Sequence, residues 1–138
     1  MLNAPTVVLN GDTWLELDLG SMLSSHERSR ADITVVVRYV PDTARYGAVA
    51  IAKDHITGFC EKRISGPGFI NAGIYLLLPS LFERLDLPEI FSFDRDVLIH
   101  YVRELQLGAF RTDGGFIDIG IPEDYNLAER ILVRSRNT

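Results

Sequence analysis

The chain has 138 residues, 46% hydrophobic and 24% charged, the balance of one folded domain whose core takes roughly two thirds of the unfolded surface out of water. Nineteen acidic residues against fourteen Lys and Arg give a net charge of -5, so there is no basic excess to capture nucleic acid or an anionic membrane. Cys60, the single cysteine, excludes an internal disulfide and reads as a small buried hydrophobe.

Residues 6–9 form an unbroken β-branched and apolar run that ends at Asn10-Gly11-Asp12, the pattern of a strand buried on both faces of a parallel sheet. From Leu19, the residues Leu19, Met22, Leu23 and His26 recur at helical spacing, with Ser24, Ser25, Glu27 and Arg28 on the other side. Residues 33–40 are a second apolar run closed by Pro41, so strand, helix and strand follow in the order of a right-handed βαβ crossover. Residues 48–52 and 56–61 predict a hairpin around Lys53-Asp54-His55, although that turn lacks a glycine.

Gly66-Pro67-Gly68 breaks the chain before a long strand, residues 69–78, whose interruptions at Asn71 and Gly73 suit a close approach of ligand. Two helices are predicted next. One is short, near residues 79–85; the other is N-capped by Ser92 and carries Val97, Leu98, Tyr101, Val102 and Leu105 as its apolar stripe. Residues 109–111 and 115–119 read as short strands, and Pro122 with Glu123 and Asp124 opens a last helix to about residue 133. No repeat or linker divides the chain, which predicts a single α/β domain over residues 1–138. A basic leader and long apolar runs are both missing from these residues, and a soluble cytoplasmic protein is expected.

A few polar residues stand where a plain core does not explain them. Asp12 follows Gly11 at the carboxyl end of a strand, where open α/β sheets bind ligands; it suits a magnesium ligand, and it suits an Asx turn or a cap. Asp118 lies inside the apolar stretch Phe116-Ile117-Asp118-Ile119, where an unpaired carboxylate is costly. A metal shared with Asp12, an arginine partner, or an edge position facing water would each satisfy it. Only two cations are lysines, Lys53 and Lys62, and Lys62 follows Glu61 at the end of a strand-like run. That ammonium can neutralise a phosphate while the carboxylate accepts protons from sugar hydroxyls, or the two can form a solvated ion pair.

Read in order, the motifs Val8-Leu9-Asn10-Gly11-Asp12-Thr13, Arg45-Tyr46-Gly47, Gly58-Phe59-Cys60-Glu61-Lys62, Ile70-Asn71-Ala72-Gly73-Ile74-Tyr75 and Phe116-Ile117-Asp118-Ile119-Gly120-Ile121-Pro122-Glu123-Asp124-Tyr125 resemble the sugar-1-phosphate nucleotidyltransferase family. The likeness is greatest to the branch handling mannose 1-phosphate or D-glycero-D-manno-heptose 1-phosphate with GTP. The resemblance implies an incomplete Rossmann-like (GT-A-like) α/β fold, a mixed sheet flanked by helices. It implies that Asp12 and Asp118 hold Mg2+, that Lys62 meets the sugar phosphate, and that Glu61, Asn71 and the backbone of Gly47 contact sugar hydroxyls. The implied reaction is in-line attack of a sugar 1-phosphate oxygen on the α-phosphate of a nucleoside triphosphate, with pyrophosphate leaving and no covalent intermediate.

The family opens with a strand and a glycine-rich loop that cradle the triphosphate, and nothing before Asn10 matches them. The chain is therefore expected to supply the C-terminal, metal and sugar-phosphate part of the site. Turnover would then require the opening segment, and the nucleoside triphosphate would join only with it. A strand at residues 6–9 without those neighbours leaves an unpaired edge, which implies a homo-oligomer or a partner chain. The alternative is a non-catalytic sugar-phosphate-binding or regulatory subunit that retains the fold.

Overall fold

A computed structural model of the chain describes residues 3–10, 13–15, 17–44, 46–60, 66–112 and 116–118. In chain order the elements are β1 (Thr6–Leu9), β2 (Thr13–Leu15), α1 (Leu19–Ser29), β3 (Ile33–Val40), β4 (Val49–Ala52), β5 (His55–Phe59), β6 (Gly68–Leu77), a 3-10 turn (Pro79–Arg84), a π-helical segment (Phe93–Ile99), β7 (Leu107–Thr112) and β8 (Phe116–Asp118). The predicted helix after Pro122 lies outside the described residues.

The apolar run of β3 has a simple cause: both of its faces are covered. Ile33, Val35 and Val37 join Tyr75 and Leu77 of β6 and Leu107 and Ala109 of β7 in one core, closed by Leu81, Val97 and Leu98 from the 3-10 and π-helical segments. The alternate residue Val36 joins Ala72, Ile74 and Leu76 of β6 in a second core, closed by Met22 of α1. The strand period of two therefore sends successive side chains to opposite faces, and the buried polar residue among them, Thr34, is bonded to His26 of α1.

Strand order in the main sheet is β1-β6-β3-β7-β5-β4. Only β3 and β7 pair in parallel; the other neighbours are antiparallel. This is the mixed sheet flanked by helices that the resemblance implied, and it corrects the expectation of a parallel sheet. It also corrects the reading of β1 as doubly buried. β1 sits at the end of the strand order, and Val7 and Leu9 remain 39% and 64% exposed. A short β-branched and apolar run looks the same whether a strand is central or half covered, because the pattern records residue type and not neighbours. The crossover differs too: β1 and β3 run in the same direction, but β6 lies between them, antiparallel to both.

Helix α1 begins at Asp18, whose Oδ1 accepts the Ser21 N–H at 3.1 Å and whose Oδ2 accepts the Ser21 hydroxyl at 2.9 Å. These two bonds hold the Asp18 carboxyl below the usual carboxylate range. The β4–β5 hairpin turns at Lys53, which takes the left-handed conformation (φ 56°) that a glycine would adopt without strain. Arg111 compensates by donating to the Lys53 carbonyl at 2.7 Å and the Asp54 carboxylate at 2.9 Å. Strand β5 ends at Phe59, short of the predicted 61.

Ser92 caps the helical segment as predicted. Its Oγ accepts the Arg95 N–H at 3.3 Å, and Asp96 Oδ2 accepts the Ser92 N–H at 2.8 Å, a reciprocal capping box. The turn is wider than the expected α-helix, with the His100 N–H donating to the Arg95 carbonyl five residues back at 3.1 Å. Past Ile99 the chain continues in turns rather than as the expected helix, with the Tyr101 N–H donating to the Val97 carbonyl at 3.1 Å and the Leu105 N–H to the Tyr101 carbonyl at 2.9 Å, and the predicted apolar stripe still faces the core.

The most irregular element is β6. Against β3, Val35 faces Tyr75 and Val37 faces Asn71, so the strand bulges between Asn71 and Tyr75. Gly73 at the bulge has φ 79°, and its N–H donates to Asn71 Oδ1 at 2.8 Å while its carbonyl accepts the Asn10 N–H at 2.8 Å. A Cβ at Gly73 would stand 2.7 Å from Asn10 Nδ2. What approaches the backbone at Gly73 is thus the end of β1, where the sequence suggested a ligand. Among the described residues no helix is long and apolar enough to cross a membrane.

Two expected outcomes follow from these packings. Gly73→Ala introduces both a strained left-handed residue and a clash with Asn10, and should cost about 1–3 kcal/mol of stability by chemical denaturation; an unchanged midpoint would show that the bulge relaxes freely. His26 is buried with Nδ1 2.6 Å from Thr34 Oγ1, and burial pushes its pKa below 6.5, against the opposing charges of Glu27 and Asp32. The folded protein thus resists protonation that the unfolded chain accepts, so this contribution is complete above pH 6.5 and is lost as pH falls from there through the folded pKa. Melting temperature should drop between pH 7 and 5.5, and His26→Gln should flatten that slope; identical slopes would remove His26 as the cause.

Candidate functional site

The bulge of β6 forms one wall of a cleft of about 360 Å³. The facing walls are the backbone of Gly47 and Ala48 before β4, the exit of β5 at Phe59 and Cys60, and the first turn of the π-helical segment with Ser92, Asp94 and Arg95. Local bonds shape each wall. Gly47 is left-handed (φ 79°) and donates its N–H to the Thr43 carbonyl at 2.9 Å, and the Cys60 N–H donates to the Ala48 carbonyl at 2.8 Å. Cys60 is exposed at this cleft, which corrects the expectation of a buried hydrophobe. The strand it was thought to continue ends one residue earlier, and the chain leaves the sheet there.

A hydrogen-bonded triad joins the bulge to the π-helical segment. Asn71 Nδ2 donates to the Tyr75 oxygen at 2.8 Å, and the Tyr75 hydroxyl donates to Asp94 Oδ1 at 2.8 Å. A longer bond of 3.4 Å runs from Asn71 Nδ2 to the same Oδ1. Tyr75 is fully buried, and that burial, with the Asp94 charge beside it, pushes the phenol far above its usual pKa. The hydroxyl therefore remains a neutral donor. Tyr75 also stacks obliquely on Phe93, ring centroids 4.6 Å apart, which fixes the ring that carries it.

Of the residues singled out in the sequence, Gly47 and Asn71 meet on this cleft. Glu61 and Lys62 lie outside the described residues, although Cys60, the residue before them, lines it. Asp12 is also outside them. Its chain neighbour Thr13 is in β2, which pairs antiparallel with β8 so that Thr13 stands opposite Asp118. The backbone ladder thus sets the position after Asp12 against Asp118, two positions separated by more than a hundred residues of chain. Carboxylate oxygens are the donors that Mg2+ prefers, so the residue types suit it. Among the described residues no cluster of three or more His, Cys, Asp or Glu could hold a metal.

Asp94 and Arg95 escaped the sequence reading. Acids in the first turn of a helix commonly answer its dipole, and Asp94 and Asp96 there look like two instances of one effect. The structure separates them: Asp96 closes the cap and pairs with Arg95 Nε at 3.3 Å, whereas Asp94 turns to Tyr75 and Asn71.

Comparison with known proteins places the chain in a family. A family model described as nucleotidyl transferase matches residues 2–134. The chain is 36% identical to a D-glycero-alpha-D-manno-heptose 1-phosphate guanylyltransferase of Aneurinibacillus thermoaerophilus, over 91% of this chain and 55% of that protein. It is 34% identical to a probable mannose-1-phosphate guanylyltransferase of Arabidopsis thaliana, over 95% of this chain and 40% of that one. Its fold is similar to the crystal structure of HddC from Yersinia pseudotuberculosis, with a TM-score of 0.78, 37% identity, and coverage of 90% of this chain and 53% of the other. HddC has also been crystallised in complex with GMP-PN. The chain spans about half the length of the first of these relatives and of HddC, and less of the plant protein.

Proposed function

The chain belongs to the nucleotidyl transferase family, and from that premise we propose that it supplies the metal and sugar-phosphate part of a site that transfers a nucleotidyl group from a nucleoside triphosphate to a sugar 1-phosphate. The observation that carries the proposal is the cleft on which Gly47 and Asn71 meet beside Cys60, the residue leading into Glu61 and Lys62. In this reading the Gly47 backbone, Asn71 and Glu61 fix sugar hydroxyls, and Lys62 neutralises the phosphate. Asp12 and Asp118 hold Mg2+, which when bound supplies charge neutralisation on the reacting phosphates.

The reaction needs no covalent help from the protein. A phosphate oxygen of the sugar 1-phosphate forms a bond to the α-phosphorus as the bond to the bridging oxygen breaks, and the electron pair departs with pyrophosphate. The residues of this chain contribute position and charge, holding the two anions together in line. Mannose 1-phosphate or a heptose 1-phosphate is the preferred acceptor because those sugars name the relatives, and the word guanylyltransferase in the same names makes GTP the preferred donor. The base and triphosphate are assigned to the part of the family's length that this chain does not span. The exposed edge of β1 is where a second copy or a partner chain would add to the sheet, and light scattering at micromolar concentration should give a mass above that of one chain.

Calorimetry tests the division of the site. The chain should bind mannose 1-phosphate, and should show little heat with GTP plus magnesium; the reverse preference would overturn the proposal. In an enzyme reconstituted with the remaining part, Asp12→Ala should abolish magnesium-dependent turnover, and unchanged turnover would refute the metal assignment. Glu61→Ala should weaken sugar-phosphate binding by roughly 10- to 100-fold, the loss expected for a charge-assisted hydrogen bond. Sugar-phosphate binding with no pyrophosphate release even after reconstitution would identify a non-catalytic binding subunit.

A further inference from the structure

The carboxylate of Asp94 is held on one side and open on the other. Oδ1 receives the Tyr75 hydroxyl at 2.8 Å and the Asn71 amide at 3.4 Å, while Oδ2 has no hydrogen-bond partner among the described residues. An ionised carboxylate offers about four acceptor positions, and the described residues fill those of one oxygen only. The guanidinium next to it does not answer the charge: Arg95 pairs with Asp96 at 3.3 Å, and among the described residues Asp94 forms no ion pair. The anchors are stiff. Tyr75 is fully buried, and Asn71 is braced through its own Oδ1 by the Gly73 N–H at 2.8 Å. A rigid, negatively charged acceptor therefore stands at the wall of a sugar-sized cleft.

Such a group selects among the parts of a sugar phosphate. It repels the phosphate and attracts hydroxyl donors, so it orients the ligand with its ring hydroxyls toward Asp94 and its phosphate away. Resting on the sugar-phosphate reading of the cleft, we propose that Asp94 is a specificity-determining acceptor for one ring hydroxyl of the sugar, with Tyr75 and Asn71 as positioning residues that aim it. Asn71 then acts on the sugar largely through Asp94, since its carbonyl and an amide hydrogen are already engaged within the protein. Asp94 is exposed in the open cleft, so a sugar that lacks a hydroxyl at that place is rejected to the extent that the bound ring shuts water away from the free carboxylate oxygen.

The test uses the full chain and calorimetric titration with mannose 1-phosphate and each of its monodeoxy analogues. Asp94→Asn should weaken mannose 1-phosphate binding by roughly 10- to 100-fold. For one monodeoxy analogue, and only one, wild type and Asp94→Asn should bind alike, which identifies the hydroxyl that Asp94 accepts. Tyr75→Phe keeps the carboxylate and removes its anchor, so it should blunt discrimination among the analogues more than it weakens binding of the parent sugar. Asp94→Glu, which keeps the charge but moves it, should lose the same selectivity and guards against misfolding of any single variant. If wild type binds mannose 1-phosphate and Asp94→Asn binds it equally well, or loses affinity equally for every analogue, the role of Asp94 is overturned while the cleft stands as a sugar-phosphate site. If wild type binds none of these sugar phosphates, the reading of the cleft itself is overturned and the role of Asp94 with it.

Discussion

Between Val35 and Val37 of β3, the facing strand β6 carries Tyr75 down to Asn71, and the excess backbone has to leave the plane of the sheet. Gly73 makes that possible by adopting a left-handed conformation, and the end of β1 fills the space its missing Cβ leaves. The consequence reaches three elements at once. Asn10 is tied to the bulge, Asn71 is turned so that its amide meets Tyr75, and Tyr75 is aimed at Asp94 on the π-helical segment. A regular strand would keep Asn71 and Tyr75 on one face but about two pleats apart. With the bulge, their side chains touch and form a cleft wall.

Charge in the cleft is arranged by what each acid is bonded to. Asp96 is consumed by the helix cap and by Arg95, so it stabilises the segment on which Asp94 rides. Among the described residues the side-chain donors to Asp94 are the neutral Tyr75 hydroxyl and Asn71 amide. This division lets one short helical turn serve stability and recognition with two chemically identical side chains. The π-helical turn sits at the same place, and the widened backbone carries Asp94 toward β6 while Val97 and Leu98 remain in the core.

Much of the fold was legible because burial leaves a periodic trace. The run at β3, the spacing of Met22 and His26 in α1, the cap at Ser92 and the stripe from Val97 to Leu105 all reflect one side chain's relation to its near neighbours in the chain. The motifs around Gly47 and Asn71 pointed to residues that do share a cleft. Other features left no such trace. The edge position of β1 is one, because its short β-branched and apolar run says nothing about how many strands flank it. The exposure of Cys60 is another, because where β5 ends depends on where its partner strand stops. The role of Asp94 is a third, because its partner, Tyr75, lies nineteen residues earlier on another element.

The amino-acid sequence by itself determined the helix and strand character of most segments, the glycine at residue 73, and the family to which the chain belongs, since each of these is encoded in local composition, backbone freedom or ordered motifs. Tertiary structure alone decided the strand order with β6 inserted between β1 and β3, the opposition of Thr13 and Asp118, and the division of labour between Asp94 and Asp96. The physical reason is range. Hydrophobic periodicity and capping act over a few residues, whereas pairing and hydrogen bonding between distant groups depend on which surfaces meet once the chain has collapsed.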